Sequence, residues 1–157
     1  MNLKRVAITT AGAAAVLLAG AQLVPYGKSI DNPPTVAEPL WASSAGRDLA
    51  RRACYDCHSH ETVWPWYAKV APVSWLVYHD VAEGRRELNF SDWKGGLKKH
   101  ENMKDIAEEV NEGEMPPRMY RLGHPEAKLA AAEKEALLAS LAQCVPAERP
   151  KGAREGK

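Results

Sequence analysis

The longest apolar pattern in the chain lies at its start, where Lys4 and Arg5 precede an uncharged run from Val6 to Val24, VAITTAGAAAVLLAGAQLV. A continuous run of this length predicts a helix able to cross a bilayer core, with its basic end on the cytoplasmic side. From Pro25 to Trp41 the periodicity disappears and Pro25, Pro33, Pro34 and Pro39 accumulate, which predicts an extended linker over residues 25–42. Ser43 or Ser44 then caps a helix through GRDLARRACYDCHS. After a Pro- and Trp-rich turn, TVWPWYAKVAP, Pro72 opens the helix VSWLVYHDVAEGRREL, with Val73, Leu76, Val77 and Val81 on one face.

Ser91 is the next cap, for SDWKGGLKKH, although Gly95 and Gly96 weaken that helix. ENMKDIAEEVNEG places Met103, Ile106 and Val110 in register and stops at Gly113, and the last helix includes AAEKEALLASLAQ with Leu137, Leu138 and Leu141. No stretch alternates long enough for a strand. The expected fold is all-α, a small helical domain over 43–146. A hydrophobic helix (1–24) and the linker precede it, and a polar tail (147–157) follows.

Length changes this picture little: 157 residues hold one small domain besides the two dissimilar ends. The 21 basic and 20 acidic side chains nearly cancel, so there is no basic surface of the kind that binds nucleic acid. Three cysteines make no disulfide scaffold, and Cys144 has no evident partner. Ala19-Gly20-Ala21 within the apolar run fits a cleavage site, so a signal peptide and an uncleaved anchor are both open. Either places the rest of the chain on the periplasmic side.

Candidate chemistry is concentrated in Cys54-Tyr55-Asp56-Cys57-His58. On a helix Cys54, Cys57 and His58 share one face, so two thioethers can fasten a porphyrin edge while the imidazole reaches its iron. C-x-x-C-H is the attachment pattern of c-type haem. Structural zinc asks for a second Cys or His pair at short spacing, which His60, His79, His100 and His124 do not form. A thioredoxin-like dithiol asks for a βαβ setting that this helical chain lacks.

The sixth iron ligand separates a carrier from a catalyst. In Glu112-Gly113-Glu114-Met115-Pro116-Pro117 a helix ends at glycine and Pro116 biases Met115 toward an extended backbone, suited to a thioether aimed at iron from a loop. Met119 is a competitor, and His79 would make a bis-histidine iron. His60, His100 and His124 read as non-ligands. Trp64, Trp66, Tyr67 and Trp75 can line a haem pocket or simply pack, and Arg85 and Arg86 can pair propionates or face solvent.

The stretch CYDCHSHETVWPWYAKVAPVSWLVYHDVAEGRRELNFSDW strongly resembles the bacterial haem-binding domain family, with its C-x-x-C-H, W-P-W-Y, A-P-V-S-W-L and E-G-R-x-x-L-N-F-S-x-W strings. VPYGKSIDNPP, GEMPP and HPEAKL resemble it too, so the resemblance runs from about Val24 to Leu141. It implies a small exported c-type cytochrome with one haem c, usually behind an N-terminal hydrophobic segment, and supports haem binding more than any reaction. Two positions depart from the pattern. His60 stands where similar chains often have asparagine. Ala130 stands where they tend to have a serine or threonine cap, so the last helix either lacks that cap or starts earlier, at Pro125.

The leading expectation is an electron carrier, its iron held by His58 and Met115, serving redox partner proteins. The alternative is a haem enzyme or a gas or peroxide sensor with an open or labile sixth position. A third reading is a docking or haem-storage module of a membrane complex.

Overall fold

The computed structural model describes residues 2–93 and 102–145. It is all-α, as expected, with a single isolated bridge between Ala37 and Asp92 and no strand among the described residues. Helix α1 (Leu3–Ala21) buries none of its residues. It is the one described helix long and apolar enough to cross a membrane.

Helix α2 (Ser44–Ala53) starts as expected, with Ser43 Oγ accepting from Gly46 N at 3.1 Å. It does not run unbroken through the cysteine motif. Cys54 leaves helical geometry (φ −126°, ψ −34°), and a separate turn of helix, α3 (Tyr55–His58), follows. The break has a packing cause. α2 lies against the last helix, α7 (Ala131–Cys144), whereas α3 lies against α4 (Val73–Glu87). At the first crossing, a Cβ on Gly46 would fall 1.9 Å from Ser140 Oγ, and Arg52 donates to Glu133 at 2.6 Å. One straight helix cannot serve both neighbours.

α4 begins where Pro72 predicted, but its buried face is different. Val73 and Leu76 are exposed, and Ser74, Val81 and Gly84 are buried. Two close backbone approaches choose that face, Gly27 against Ser74 and Cys57 against Gly84, and only small side chains fit there. α5 (Met103–Glu112) is capped by Asn102 Oδ1, which accepts from Asp105 N at 3.0 Å, and stops at Gly113 with φ +80°. Met103, Ile106 and Val110 face the core as predicted.

The pattern of apolar positions did not disclose α6 (Arg118–Gly123) or the 3-10 turn Pro125–Ala127. Pro125 opens that turn and not α7, which starts at Ala131 behind Ala130. The expected helix after Ser91 lies largely outside the described residues. Ser91 itself is buried, and its hydroxyl accepts from His60 N at 2.9 Å instead of capping.

Residues 25–42 form no helix, turn at Tyr26-Gly27, and are packed on the helices. Val36 N donates to Ser91 O at 2.8 Å and Trp93 N to Ala37 O at 3.0 Å. Arg47 pairs with Glu38 at 2.8 Å. The core is a column of rings under α3: Tyr55 stacks on Phe90 at 5.0 Å and Phe90 on Trp93 at 5.8 Å, surrounded by Leu88, Leu137 and Leu141. The L-N-F-S-x-W string therefore supplies the core with the rings of Phe90 and Trp93 and the aliphatic side chain of Leu88, and Asn89 and Ser91 hold His60.

Candidate haem site

Cys57 and His58 lie on α3, and Cys54 lies at its threshold. Despite the break after α2, Cys57 N and His58 N both donate to Cys54 O, at 3.2 and 2.9 Å, so one tight turn still gathers the three residues. His58 is then fixed from behind. Its Nδ1 donates to Gly84 O at 2.8 Å and lies 3.1 Å from Leu88 O, at the C-terminal end of α4. Two carbonyls, which only accept, set the tautomer: Nδ1 carries the proton and Nε2 carries the free lone pair. Burial lowers the imidazole's proton affinity and holds the ring neutral, the form that ligates metal. His58 O accepts from Phe90 N at 2.8 Å, which joins the ligand to the aromatic core.

α3 and α4 touch through glycine. A Cβ on Gly84 would lie 2.5 Å from Cys57 O and 3.0 Å from Cys57 Cβ. The sequence signal for this contact is a glycine in the middle of a helix, which costs helix propensity unless a neighbour needs the space.

Both thiols are raised to about 12, Cys54 by burial and the nearby Cys57, and Cys57 by burial and then Asp80 and Asp56. Among the described residues no group of three His, Cys, Asp or Glu side chains converges as a metal site.

The other sequence candidates are dispersed. Trp64 donates its indole N–H to Asn32 Oδ1 at 3.2 Å, and Arg85 stacks over its ring at 5.8 Å. With Arg85, Tyr78 and Asp31 it borders a 170 Å³ cavity that His58 does not line, below the roughly 300 Å³ usual for ligand pockets. Trp66 is 78% exposed, with Tyr67 edge-on at 5.7 Å. Trp75 is half-buried, and its buried indole N–H has no acceptor among the described residues. Arg85 binds Ser59 O at 2.7 Å, Asp31 O at 3.0 Å, Asn32 Oδ1 at 2.8 Å and Thr62 Oγ1 at 2.9 Å, fastening the 25–42 segment to the loop after the motif. Arg86 pairs with Glu83 at 2.6 Å and with Glu87.

Among the histidines, His60 is spent at both nitrogens: Nδ1 lies 3.1 Å from Pro34 O and Nε2 accepts from Asn89 Nδ2 at 3.0 Å. His79 is exposed on α4. His124 stacks on Tyr120 at 4.3 Å and faces Glu126 at 3.1 Å. His100 lies outside the described residues. Cys144 is buried, its thiol donating to Ser140 O at 3.4 Å.

Met115 sits in the turn between α5 and α6, 38% exposed, beside a buried Pro116. The turn is braced from inside: Glu109 O accepts from both Glu114 N and Met115 N at 3.0 Å, and Arg121 Nη2 donates to Gly113 O at 3.0 Å. α6 reaches back to the motif, where the Tyr120 hydroxyl donates to Asp56 Oδ2 at 2.7 Å. Asp56, inside the C-x-x-C-H, also accepts from Val63 N at 2.9 Å through Oδ1. The Tyr120–Asp56 link went unnoticed in the sequence because 64 positions separate its partners.

A neutral imidazole tied through Nδ1 to two carbonyls, with Cys54 and Cys57 on the same turn, fits a haem-binding site. The family profile described as haem-binding domain matches residues 16–143. The chain belongs to the haem-binding domain family. No curated protein matches it, and no solved structure does. The family match covers α2 to α6 and most of α7, and it reaches into the second half of α1.

Proposed function

We propose that this member of the haem-binding domain family is a mono-haem c-type cytochrome that passes single electrons between redox partner proteins on the periplasmic side of the membrane. The observation that carries the reading is the holding of His58, with Nδ1 tied to Gly84 O and Leu88 O and Nε2 left unprotonated, on one turn with Cys54 and Cys57. In this reading Cys54 and Cys57 form thioethers to the porphyrin edge and His58 is the proximal iron ligand. Bound haem supplies the one-electron chemistry. The protein's part is to hold the ring plane and the ligand set still. Gly84 does so by admitting α3, and Phe90 by anchoring the carbonyl of His58.

Met115 is the distal ligand in this proposal. Its turn is braced by Glu109 O and linked to the motif through Tyr120 and Asp56, which is the support expected of a loop that must present a thioether at a fixed place. Met119 is 74% exposed on α6, and His79 is exposed on α4; both are worse supported. α1, uncharged after Arg5 and without a buried residue, is read as the membrane tether that keeps the domain on that side.

The test is to make the full chain in cells with an export route and a haem-maturation system, then record intact mass and visible spectrum. One haem retained after denaturation, with a six-coordinate low-spin spectrum, is expected. A chain without bound haem overturns the cytochrome reading, and a five-coordinate high-spin iron overturns the carrier in favour of an enzyme or sensor.

A further inference from the structure

α1 is joined to the helical domain by more than the chain. Gln22, just past its last turn, sets its side-chain amide against the backbone of Ala71: Nε2 donates to Ala71 O at 2.9 Å and Oε1 accepts from Ala71 N at 3.1 Å. A primary amide offers the same donor and acceptor as a peptide group, so it satisfies both backbone groups of one residue at once. Nε2 also bonds Leu18 O at 3.0 Å, inside α1. Five residues later Gly27, at φ +75°, passes so near α4 that a Cβ would lie 2.9 Å from Ser74 O, and Tyr26 meets Tyr78 edge-on at 5.2 Å. Three contacts thus pin the end of a helix of membrane-spanning length against the first turns of α4.

The surface around that joint is unusual in composition. From Thr62 to His79, eighteen residues, there is no acidic side chain and Lys69 is the sole Lys or Arg. Trp66, Val70, Val73 and Leu76 lie within five residues of Ala71 and are all exposed, Leu76 by 58%. On the α1 side Leu23 is 83% exposed. Tryptophan and tyrosine concentrate where a bilayer meets water, and a lysine nearby is drawn to anionic headgroups.

We propose that this face of the domain, centred on Ala71 and carrying Trp66, Val70, Val73 and Leu76, lies in the headgroup region of the bilayer that α1 crosses. The inference rests on the reading of α1 as an uncleaved tether. Lipid is the occupant because the patch begins where the spanning helix ends: the membrane surface that covers Leu23 also meets the residues pinned beside Gln22. The domain then does not swing on a free linker. Its orientation to the membrane is set by the Gln22–Ala71 bonds.

The test uses the full haem-loaded chain, isolated from bacterial membranes and reconstituted in vesicles of phosphatidylethanolamine and phosphatidylglycerol. A photoreactive benzophenone residue replaces Trp66 or Leu76, or, as control, the exposed Glu135 on α7. The chain should float with the vesicles at its unprocessed mass and form lipid adducts from positions 66 and 76 but none from 135. Gln22→Ala should reduce the adducts severalfold without releasing the chain. A chain that floats yet gives no lipid adduct at 66 and 76, or gives adducts only to protein, overturns the proposal and leaves the tether standing. Recovery of a soluble chain starting at Gln22 overturns the tether reading, and the membrane-facing surface with it.

Discussion

Gly84 and Cys57 approach so closely that a Cβ on the glycine would lie 2.5 Å from the carbonyl oxygen of the cysteine. The obstructing atom is backbone, so it cannot rotate away as a side chain would. The same glycine's carbonyl accepts from Nδ1 of His58. Packing of α3 on α4 and orientation of the imidazole therefore meet in one residue.

Gly84→Ala should push α3 off α4 at a cost of about 1–3 kcal/mol, the usual range for overpacking. Helix propensity would favour alanine, so the sign of the change tests which effect wins. Thermal melts should show a lower midpoint, and the haem-loaded variant should show a perturbed low-spin spectrum.

For the proposed distal ligand, Met115→Ala should abolish the sulfur-to-iron charge-transfer absorption, lower the reduction potential and admit external ligands, because thioether ligation raises potential. Met119→Ala should leave all three nearly unchanged. The reverse pattern would make Met119 the ligand, and a spectrum altered only by His79→Ala would make the iron bis-histidine. Absorbance and redox titration of the three variants decide among them.

Tyr120→Phe removes the bond from α6 to Asp56 and leaves the carboxylate its bond from Val63 N. A hydrogen bond to a charged acceptor contributes about 1.5–3 kcal/mol when well buried, and this half-exposed one should fall at or below the lower figure. Besides this loss, the α5–α6 turn should loosen. Imidazole or cyanide should then bind the iron more readily than in the parent, a change that a purely structural role for Tyr120 would not produce.

The start of α7 gives a pH prediction. Ala130, at φ −70° and ψ 163°, has the backbone of a capping residue but no side-chain oxygen, and Ala130 N donates to Glu133 Oε2 at 2.8 Å. Ala130→Ser should therefore stabilise the protein by about 1 kcal/mol. The bond from Ala130 N, followed by that from Arg52, holds the Glu133 carboxyl below its ordinary 4.5. A depressed carboxyl contributes stability above its unfolded value and loses it as pH falls through 4.5 toward the folded value. Denaturant melts across that window should show Glu133→Gln less stable than the parent at neutral pH, with the gap closing on acidification.

Local sequence determined the helical class, the candidate haem motif and several helix ends. Apolar spacing marks α5 and α7, Ser43 and Gly113 mark a start and a stop, and Cys54, Cys57 and His58 are near enough in sequence to share one turn even though Cys54 leaves helical geometry. These are near-neighbour properties, and a short window contains them. Tertiary structure decided what depends on the partner. It broke the expected single helix at Cys54, since α2 and α3 pack on different helices. It turned Val73 and Leu76 outward, because the buried face of α4 had to be narrow enough for Gly27 and Cys57 to approach. It tied Arg85 and His60 to backbone and side-chain partners distant in sequence, which no short window contains. Gly84 O, which orients His58, is a backbone atom that every residue type possesses. No residue letter could have announced it, because its role comes from where α4 brings that carbonyl.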